Sequence, residues 1–160
     1  MKKYYGLQVE GKSADVYIYG DITSFPWLES DVSSYGLAKE IDDLDVDEIH
    51  VYINSYGGEV AEGLAIYNAL KRHRARVTTY ADGFVCSAAL LPYVAGDVRV
   101  MSPASLLMAH NAWTRATGNA SELRKEADDL EKITQATIAA YMTVAKVDEA
   151  EVKRIMDEET

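Results

Sequence analysis

Short apolar strands that alternate with glycine turns and helices constrain this chain more than any other feature of its sequence. Residues 16–19 alternate between aliphatic and tyrosine side chains, which is the period-2 pattern of a strand. Residues 49–54 form a second strand-like run, a glycine pair follows at 57–58, and residues 60–70 carry apolar side chains at helical spacing. The order strand, glycine turn, helix is typical of a β-α unit.

The same order of elements recurs further along the chain. Residues 76–81 are strand-like, Asp82 and Gly83 predict a turn, and residues 87–91 favour a buried helix. Pro92 lies about one turn into the helix after Ser87, where it removes an N–H group and clashes with the preceding turn, so a kink or a later helix start is expected. Strands that alternate with helices favour parallel β-α-β units, so the sequence predicts an α/β fold.

The C-terminal third of the chain changes to charged, helical sequence. Two short strands are predicted at residues 98–101 and 105–110. Asn119, with Glu122 three residues later, resembles a capping box and predicts an amphipathic helix of about 25 residues. A last helix is predicted from Asp148 to about residue 156.

Composition excludes several functional classes. The 160 residues suit one compact domain, and no run approaches the roughly 20 apolar residues of a membrane span. The net charge of −10 opposes binding to nucleic acid through its phosphates. The single cysteine, Cys86, excludes an intramolecular disulfide and a multi-cysteine zinc site, and is either a packing residue or a reactive thiol. Without the apolar core of a signal peptide, a cytoplasmic location is expected.

Two passages between strand and helix are candidate sites. At Gly57-Gly58 the missing Cβ atoms let the backbone approach a ligand, and the alternative is an ordinary turn. Ser87 lies near a predicted helix start, where its oxygen would serve as a nucleophile or merely as an N-cap. His110 follows an apolar strand and is either a general base or a structural histidine. The acidic run at residues 42–48 does not fit a calcium loop, and no metal site is predicted.

Four strings of the sequence together resemble the Clp-type (ClpP-like) caseinolytic serine proteases. Residues 51–60 (VYINSYGGEV) are similar to the family's Y-I-N-S-P-G-G-x-V segment, and residues 63–67 (GLAIY) to its G-x-A-I-Y segment. Residues 83–89 (GFVCSAA) resemble G-x-A-A-S-A-A, and residues 108–111 (MAHN) resemble M-I-H-N. The likeness covers nearly the whole chain and is greatest to the phage and prophage branch known as head maturation proteases.

The resemblance implies a role for each candidate residue. Ser87 would be the nucleophile and His110 the general base, and the backbone N–H groups of Gly58 and Ala88 would form the oxyanion hole. Gly57 and Gly58 would also pair with an extended peptide as an added strand.

The triad acid is where the sequence departs most from the family. Glu159 occupies the implied acid position, and Asp157 is the second choice. The strand and helix that usually follow are missing, so the C-terminal helix is expected to be truncated and the acid to be poorly held. Tyr56 also replaces the family's usual proline before the glycine pair.

Architecture and partners also follow from the resemblance. It implies a ClpP/crotonase-like fold of stacked β-β-α units, as a single peptidase domain over residues 1–160. An α/β head would reach about residue 112, a projecting long handle helix would lie within about 113–146, and a truncated C-terminal helix would occupy about 147–160. The expected assembly is a homo-oligomer of stacked rings, commonly of fourteen subunits, with no cofactor. The implied partners are a polypeptide substrate, phage capsid or scaffold protein, and an ATP-driven (AAA+) unfoldase.

The leading interpretation of the sequence is a serine endopeptidase that cleaves extended or unfolded polypeptide, with phage capsid or scaffold protein as a candidate substrate. The main alternative is a catalytically impaired, ring-forming subunit, because the acid region of the family is only partly present. Acyl-CoA chemistry of the crotonase type is the weakest alternative, because the G-x-x-x-G-G-G run of those enzymes does not occur.

Overall fold

The computed structural model describes residues 6–28 and 31–159, and the chain forms two compact units that divide between Met108 and Ala109. The first unit contains, in chain order, β1 (Gly6–Glu10), β2 (Ser13–Ile18), α1 (Ser34–Asp42), β3 (Glu48–Ser55), α2 (Val60–Arg72), β4 (Arg76–Cys86), a 3₁₀ turn (Ser87–Ala89), α3 (Leu90–Val94), β5 (Val98–Met101) and β6 (Leu106–Met108). The second unit contains α4 (Ala120–Met142) and α5 (Glu149–Asp157). In the described ranges no helix is both long and apolar enough to cross a membrane.

Parallel pairing dominates the six-stranded sheet of the first unit. β2, β3, β4 and β5 lie side by side in parallel, and β6 pairs in parallel with the end of β4. The predicted α/β fold with parallel β-α-β units is therefore confirmed. The sequence analysis did not predict β1, which pairs antiparallel with β2. Its side chains are mostly exposed, so a hydrophobic pattern could not identify it.

One face of the sheet and three helices form the core of the first unit. Alternate strand residues are fully buried, as Val16 in β2 and Val51 in β3 show. The helices α1, α2 and α3 supply Leu37, Ile66 and Leu91, each with 0% exposure. Burial of each such side chain stabilises the fold by about 1.5–3 kcal/mol. These alternating side chains fix the register of the strands, because a shift of one residue would expose them all.

The opposite face of the sheet carries a row of tyrosines. Tyr17, Tyr52 and Tyr80 are register partners in β2, β3 and β4. Their rings stack with centroid separations of 5.0 Å between Tyr17 and Tyr52 and 4.7 Å between Tyr52 and Tyr80. Cross-strand aromatic pairs of this kind stabilise a sheet by about 0.2–1 kcal/mol each. The period-2 alternation of aliphatic and tyrosine residues thus separates the two faces.

The predicted turn at Asp82 and Gly83 is wrong, because β4 continues through both residues to Cys86. Ile53 pairs with Ala81, whereas Ser55 pairs with Val85, so β4 gains two residues on β3 at this point. The Asp-Gly signal therefore marks a β-bulge rather than the end of the strand. Pairing of residues 84–86 with β6 stabilises the continuation, and this long-range contact is not visible in the local sequence.

The expected later start of the helix after β4 is confirmed. Ser87, Ala88 and Ala89 form a 3₁₀ turn, and the α-helix starts only at Leu90. Pro92 is then the third residue of α3, within the first turn, where a missing N–H group costs no intrahelical hydrogen bond.

The second unit begins its long helix as the sequence predicts. The Asn119 side chain accepts hydrogen bonds from the N–H groups of Ser121 and Glu122, and the Glu122 carboxylate accepts one from the Asn119 N–H group. This capping box starts a helix of 23 residues, close to the predicted length. The last helix is also confirmed, with Asp148 as its N-cap residue.

Candidate functional site

Ser87 has a strained backbone at the junction of β4 and the 3₁₀ turn. Its φ angle is +56°, and in residues 6–28 and 31–159 only one other non-glycine residue, Glu159, has a positive φ. This left-handed conformation costs an L-residue roughly 1–2 kcal/mol. Cys86 is the N-cap residue of the turn and no side chain caps it, so the N-cap role does not explain Ser87. Strain of this kind persists where the surrounding structure imposes it, and it is common at active sites.

The glycine pair packs directly against the Ser87 turn. Gly57 has a φ of +98°, and a Cβ atom added to it would lie 2.8 Å from the Ser87 Cβ, 2.8 Å from the Ala88 nitrogen and 2.6 Å from the Cys86 carbonyl oxygen. Only a residue without a side chain fits there. The structure therefore brings together three of the predicted site elements: the glycine loop, Ser87 and the Ala88 backbone.

Hydrogen bonds fix the glycine pair to the segment that follows β2. The Ile22 N–H group donates to the Gly57 carbonyl oxygen over 2.8 Å, and the Glu59 N–H group donates to the Ile22 carbonyl oxygen over 2.8 Å. Ile22 and Gly58 are partners in a parallel bridge, and both hydrogen bonds of this bridge join Ile22 to the two neighbours of Gly58. The Gly58 N–H group therefore faces away from Ile22, where it can serve a ligand or an added strand.

The carboxylate of Glu59 strengthens this attachment. Its Oε1 atom accepts hydrogen bonds from Thr23 Oγ1 (2.9 Å), the Ser24 N–H group (3.1 Å) and Ser24 Oγ (3.0 Å). Burial alone would raise the pKa of Glu59, but the hydrogen bonds from Ser24 and Thr23 hold it below its ordinary value. Glu59 thus stays ionised and anchors the loop that presents Gly58.

The Ala88 N–H group belongs to the first turn after β4. N–H groups in the first turn of a helix have no intrahelical acceptor, and they carry partial positive charge. Ala88 is 2% exposed, so its backbone position is well fixed by packing. Together with the outward-facing Gly58 N–H group, it supplies the kind of donor that stabilises a developing oxyanion.

The predicted base and acid belong to the second unit. His110 lies one residue after the boundary between the units, and Asn111 follows it. The Asn111 side-chain amide donates to Asp157 Oδ1 over 2.7 Å, which ties the segment after His110 to α5. Glu159 lies beyond the end of α5 and is exposed. Of the two acid candidates, Asp157 thus contacts the residue next to His110.

Across the described residues, no group of three or more His, Cys, Asp and Glu side chains is arranged to hold a metal ion. The acidic loop contributes ion pairs instead. Asp45 pairs with Lys12 over 2.9 Å and also with Arg74.

Comparison with known protein families identifies the family of this chain. The profile of the Clp protease family matches residues 31–160, which is most of the chain. The chain belongs to the Clp protease family. The resemblance that its motifs indicated is thereby confirmed at the level of the family.

Curated relatives of this chain carry the name ATP-dependent Clp protease proteolytic subunit. That of Pleurastrum terricola is 34% identical over 99 residues, which are 61% of this chain and 50% of the relative. That of Deinococcus radiodurans is 34% identical over 96 residues, 59% of this chain and 47% of the relative. Proteolytic subunit 3 of Rhizobium meliloti is 30% identical over 126 residues, 78% of this chain and 63% of the relative. The chain spans about half the length of the first two relatives.

A solved structure shows the fold of this chain by similarity. A mutant ClpP1 of Listeria monocytogenes matches it with a TM-score of 0.73 at 23% identity. The match covers 89% of this chain and 78% of that one. The predicted ClpP-like α/β fold is confirmed.

An aromatic pair that no motif predicts lies beside the site. In the sequence, Tyr56 is only a replacement for proline, and Phe84 is only one residue of the string at 83–89. Their rings form an edge-to-face contact with centroids 5.3 Å apart. A usable signal was present, because each aromatic residue lies within three positions of Gly57 or Ser87.

We expect the Cys86 thiol to be unreactive in the folded protein. Cys86 is 4% exposed, and burial raises the pKa of its thiol, which lowers the fraction of reactive thiolate. A disulfide reagent such as DTNB at pH 7.5 should therefore react slowly with the folded chain and completely after unfolding in guanidinium chloride. Rapid stoichiometric reaction of the folded chain would contradict the expectation and favour a reactive thiol.

Proposed function

We propose that this chain is a serine endopeptidase that cleaves extended or unfolded polypeptide. The observation that carries the proposal is the strained Ser87, with φ +56° at a strand-to-turn junction, packed against Gly57. Nucleophilic serines occupy such strained junctions because the turn exposes the oxygen and places backbone N–H groups beside it. Membership of the Clp protease family supports the same chemistry.

In the proposed reaction, Ser87 Oγ adds to the carbonyl carbon of the scissile peptide bond and its proton passes to His110. The N–H groups of Gly58 and Ala88 stabilise the oxyanion of the tetrahedral intermediate. His110 then gives the proton to the leaving amine, the peptide C–N bond breaks, and water releases the acyl group from Ser87 in the second half of the reaction. Glu159 is proposed to orient His110, and Asp157, which accepts a hydrogen bond from Asn111, is the second candidate.

The substrate is proposed to bind as an added strand along Gly57 and Gly58. An outward-facing N–H group at Gly58 supports this mode, because an extended peptide offers a carbonyl oxygen at each residue. Phage capsid or scaffold protein is the proposed substrate, in line with the motif resemblance to the prophage branch.

The remaining proposals concern assembly and location. Both units are proposed to form a single cytoplasmic peptidase domain, with residues 113–146 as the handle of a ring-forming homo-oligomer. Stacked rings of fourteen subunits and an ATP-driven unfoldase as partner are proposed from family resemblance, and size-exclusion chromatography with light scattering tests the ring.

Labelling with a fluorophosphonate probe tests the proposed chemistry. A probe of this type forms a covalent bond only with an activated serine, so intact-mass spectrometry should show one adduct on the wild-type chain. The adduct should be lost in Ser87→Ala and greatly slowed in His110→Ala, because the serine needs its base. Ser102→Ala is the matched control, since Ser102 lies in an exposed turn and should leave labelling unchanged.

Absence of an adduct from the folded wild-type chain would overturn the proposal. In a sample that is also oligomeric, that result would favour the alternative of an impaired, ring-forming subunit. Retention of the adduct in Ser87→Ala would show that another serine is the nucleophile.

A further inference from the structure

We propose that Tyr56 and Phe84 form a platform that binds an apolar side chain of the polypeptide substrate, about three residues from the scissile bond. The inference rests on the proposed peptidase function and deepens it, because it assigns a specificity-determining pair to the same site. It concerns two residues that depart from the family motif strings or occupy a variable position in them.

The two rings form one exposed apolar surface. Tyr56 is 69% exposed and Phe84 is 40% exposed, and their rings meet at an interplanar angle of 61°. Leu106 is the register partner of Phe84 in β6 and is 46% exposed, so it extends the surface on one side. Exposed apolar residues that form a continuous patch, unlike scattered single ones, commonly mark a binding site.

Backbone contacts hold the platform in place. The Asn54 side-chain oxygen accepts a hydrogen bond of 3.1 Å from the Phe84 N–H group, across the bulge between β3 and β4. One residue further on, Ser55 pairs with Val85. The ends of both strands are thus joined, Phe84 lies within β4, and Tyr56 is the first residue after β3.

The platform is adjacent to the proposed catalytic turn. Tyr56 directly precedes Gly57, which packs against Ser87. Phe84 lies three residues before Ser87 on β4, which is about 10 Å at the rise of an extended chain. A substrate strand along Gly57 and Gly58 covers the same distance in three residues, which places its third side chain from the scissile bond over the platform.

The chemistry of the platform selects an apolar or aromatic side chain. Tyr56 and Phe84 offer two ring surfaces that are partly exposed, and an aromatic substrate residue can stack on them. Aromatic contacts of this kind strengthen binding by about twofold to tenfold beyond simple burial of area. A charged residue at the same position would lose its water on the apolar surface without gaining a partner.

The test compares peptides that differ only at the third position on either side of the scissile bond, with Phe, Ala or Asp there. For wild-type chain we expect kcat/KM to be about tenfold higher with Phe than with Ala on one side. The double variant Tyr56→Ala/Phe84→Ala should abolish this preference, so that the Phe and Ala peptides are hydrolysed with similar kcat/KM. Tyr56→Phe should retain the preference, and Tyr35→Ala, an exposed tyrosine elsewhere, is the matched control.

A second readout keeps the inference separate from the proposed function. Binding of fluorescently labelled Phe and Ala peptides to Ser87→Ala, measured by anisotropy, needs no turnover and should show the same preference. If peptides bind with this preference but wild-type chain hydrolyses none, the proposed function fails and the platform stands. If hydrolysis occurs but the double variant keeps the preference in both readouts, the platform is overturned and the function stands. A double variant that changes only the oligomeric mass would identify the rings as a contact between copies, which also overturns the inference.

Discussion

Ser87→Ala and His110→Ala are each expected to lower kcat for peptide hydrolysis on the order of 10⁶-fold, and the double variant is expected to be no slower than either. In the proposed mechanism both side chains act in one step, since a serine is a weak nucleophile until a base removes its proton. Removal of either partner therefore removes the contribution of both. Residual hydrolysis above the rate in water would come from the backbone N–H groups of Gly58 and Ala88 and from substrate binding.

Initial rates with a quenched fluorescent peptide measure these losses, provided that enzyme concentration and reaction time together span more than about six decades. His50→Ala is the matched control for the histidine, because His50 lies within β3, away from the glycine pair, and should keep hydrolysis within a few-fold. Losses in the two single variants that multiply in the double variant would mean that Ser87 and His110 act independently, which contradicts the proposed pair.

Gly57→Ala is expected to lower the free energy of unfolding by about 2–6 kcal/mol and to reduce hydrolysis by at least about 10²–10³-fold in whatever fraction stays folded. The methyl group would meet Cys86, Ser87 and Ala88 at 2.6–2.8 Å, and the φ of +98° is itself unfavourable for alanine. Strain and overpacking each cost about 1–3 kcal/mol. Displacement of the Ser87 turn would also misalign the proposed oxyanion donors.

Urea titration followed by circular dichroism measures the first effect, and fluorophosphonate labelling of the folded fraction measures the second. Gly11→Ala separates backbone strain from collision. Gly11 has a φ of +59°, but nothing lies within 4 Å of the position of an added Cβ atom. The Gly11→Ala substitution should lower the free energy of unfolding by only about 1 kcal/mol and leave fluorophosphonate labelling unchanged. Equal losses in both variants would show that contact with the Ser87 turn is unimportant.

The sequence predicted the parallel β-α-β framework because the two periods involved are local. A strand shows its alternation within six residues, and a helix shows its apolar spacing and capping residues within a few turns. The same local character explains the success at Asn119 and at Pro92, where a side chain acts on the backbone of its own turn. The strings around Gly57, Ser87 and His110 likewise indicated the family, because each is a continuous run of residues.

Tertiary contacts decided the features that local pattern misjudged. Asp82 and Gly83 predict a turn, but β4 continues through both residues. Its end pairs with β6, which lies more than twenty residues later in the chain. β1 exists because β2 lies beside it, although its own side chains are mostly exposed.

The sequence by itself determined the family, the fold class and the residue types available for chemistry, because these depend on composition and short-range order along the chain. Only the tertiary structure decided that Ser87 adopts a left-handed backbone, that Gly57 packs against it, and that Tyr56 meets Phe84 beside them. The Gly57 and Tyr56 contacts each join segments about thirty residues apart along the chain. Packing across the ends of β3 and β4 imposes such contacts, and no single stretch of sequence encodes them.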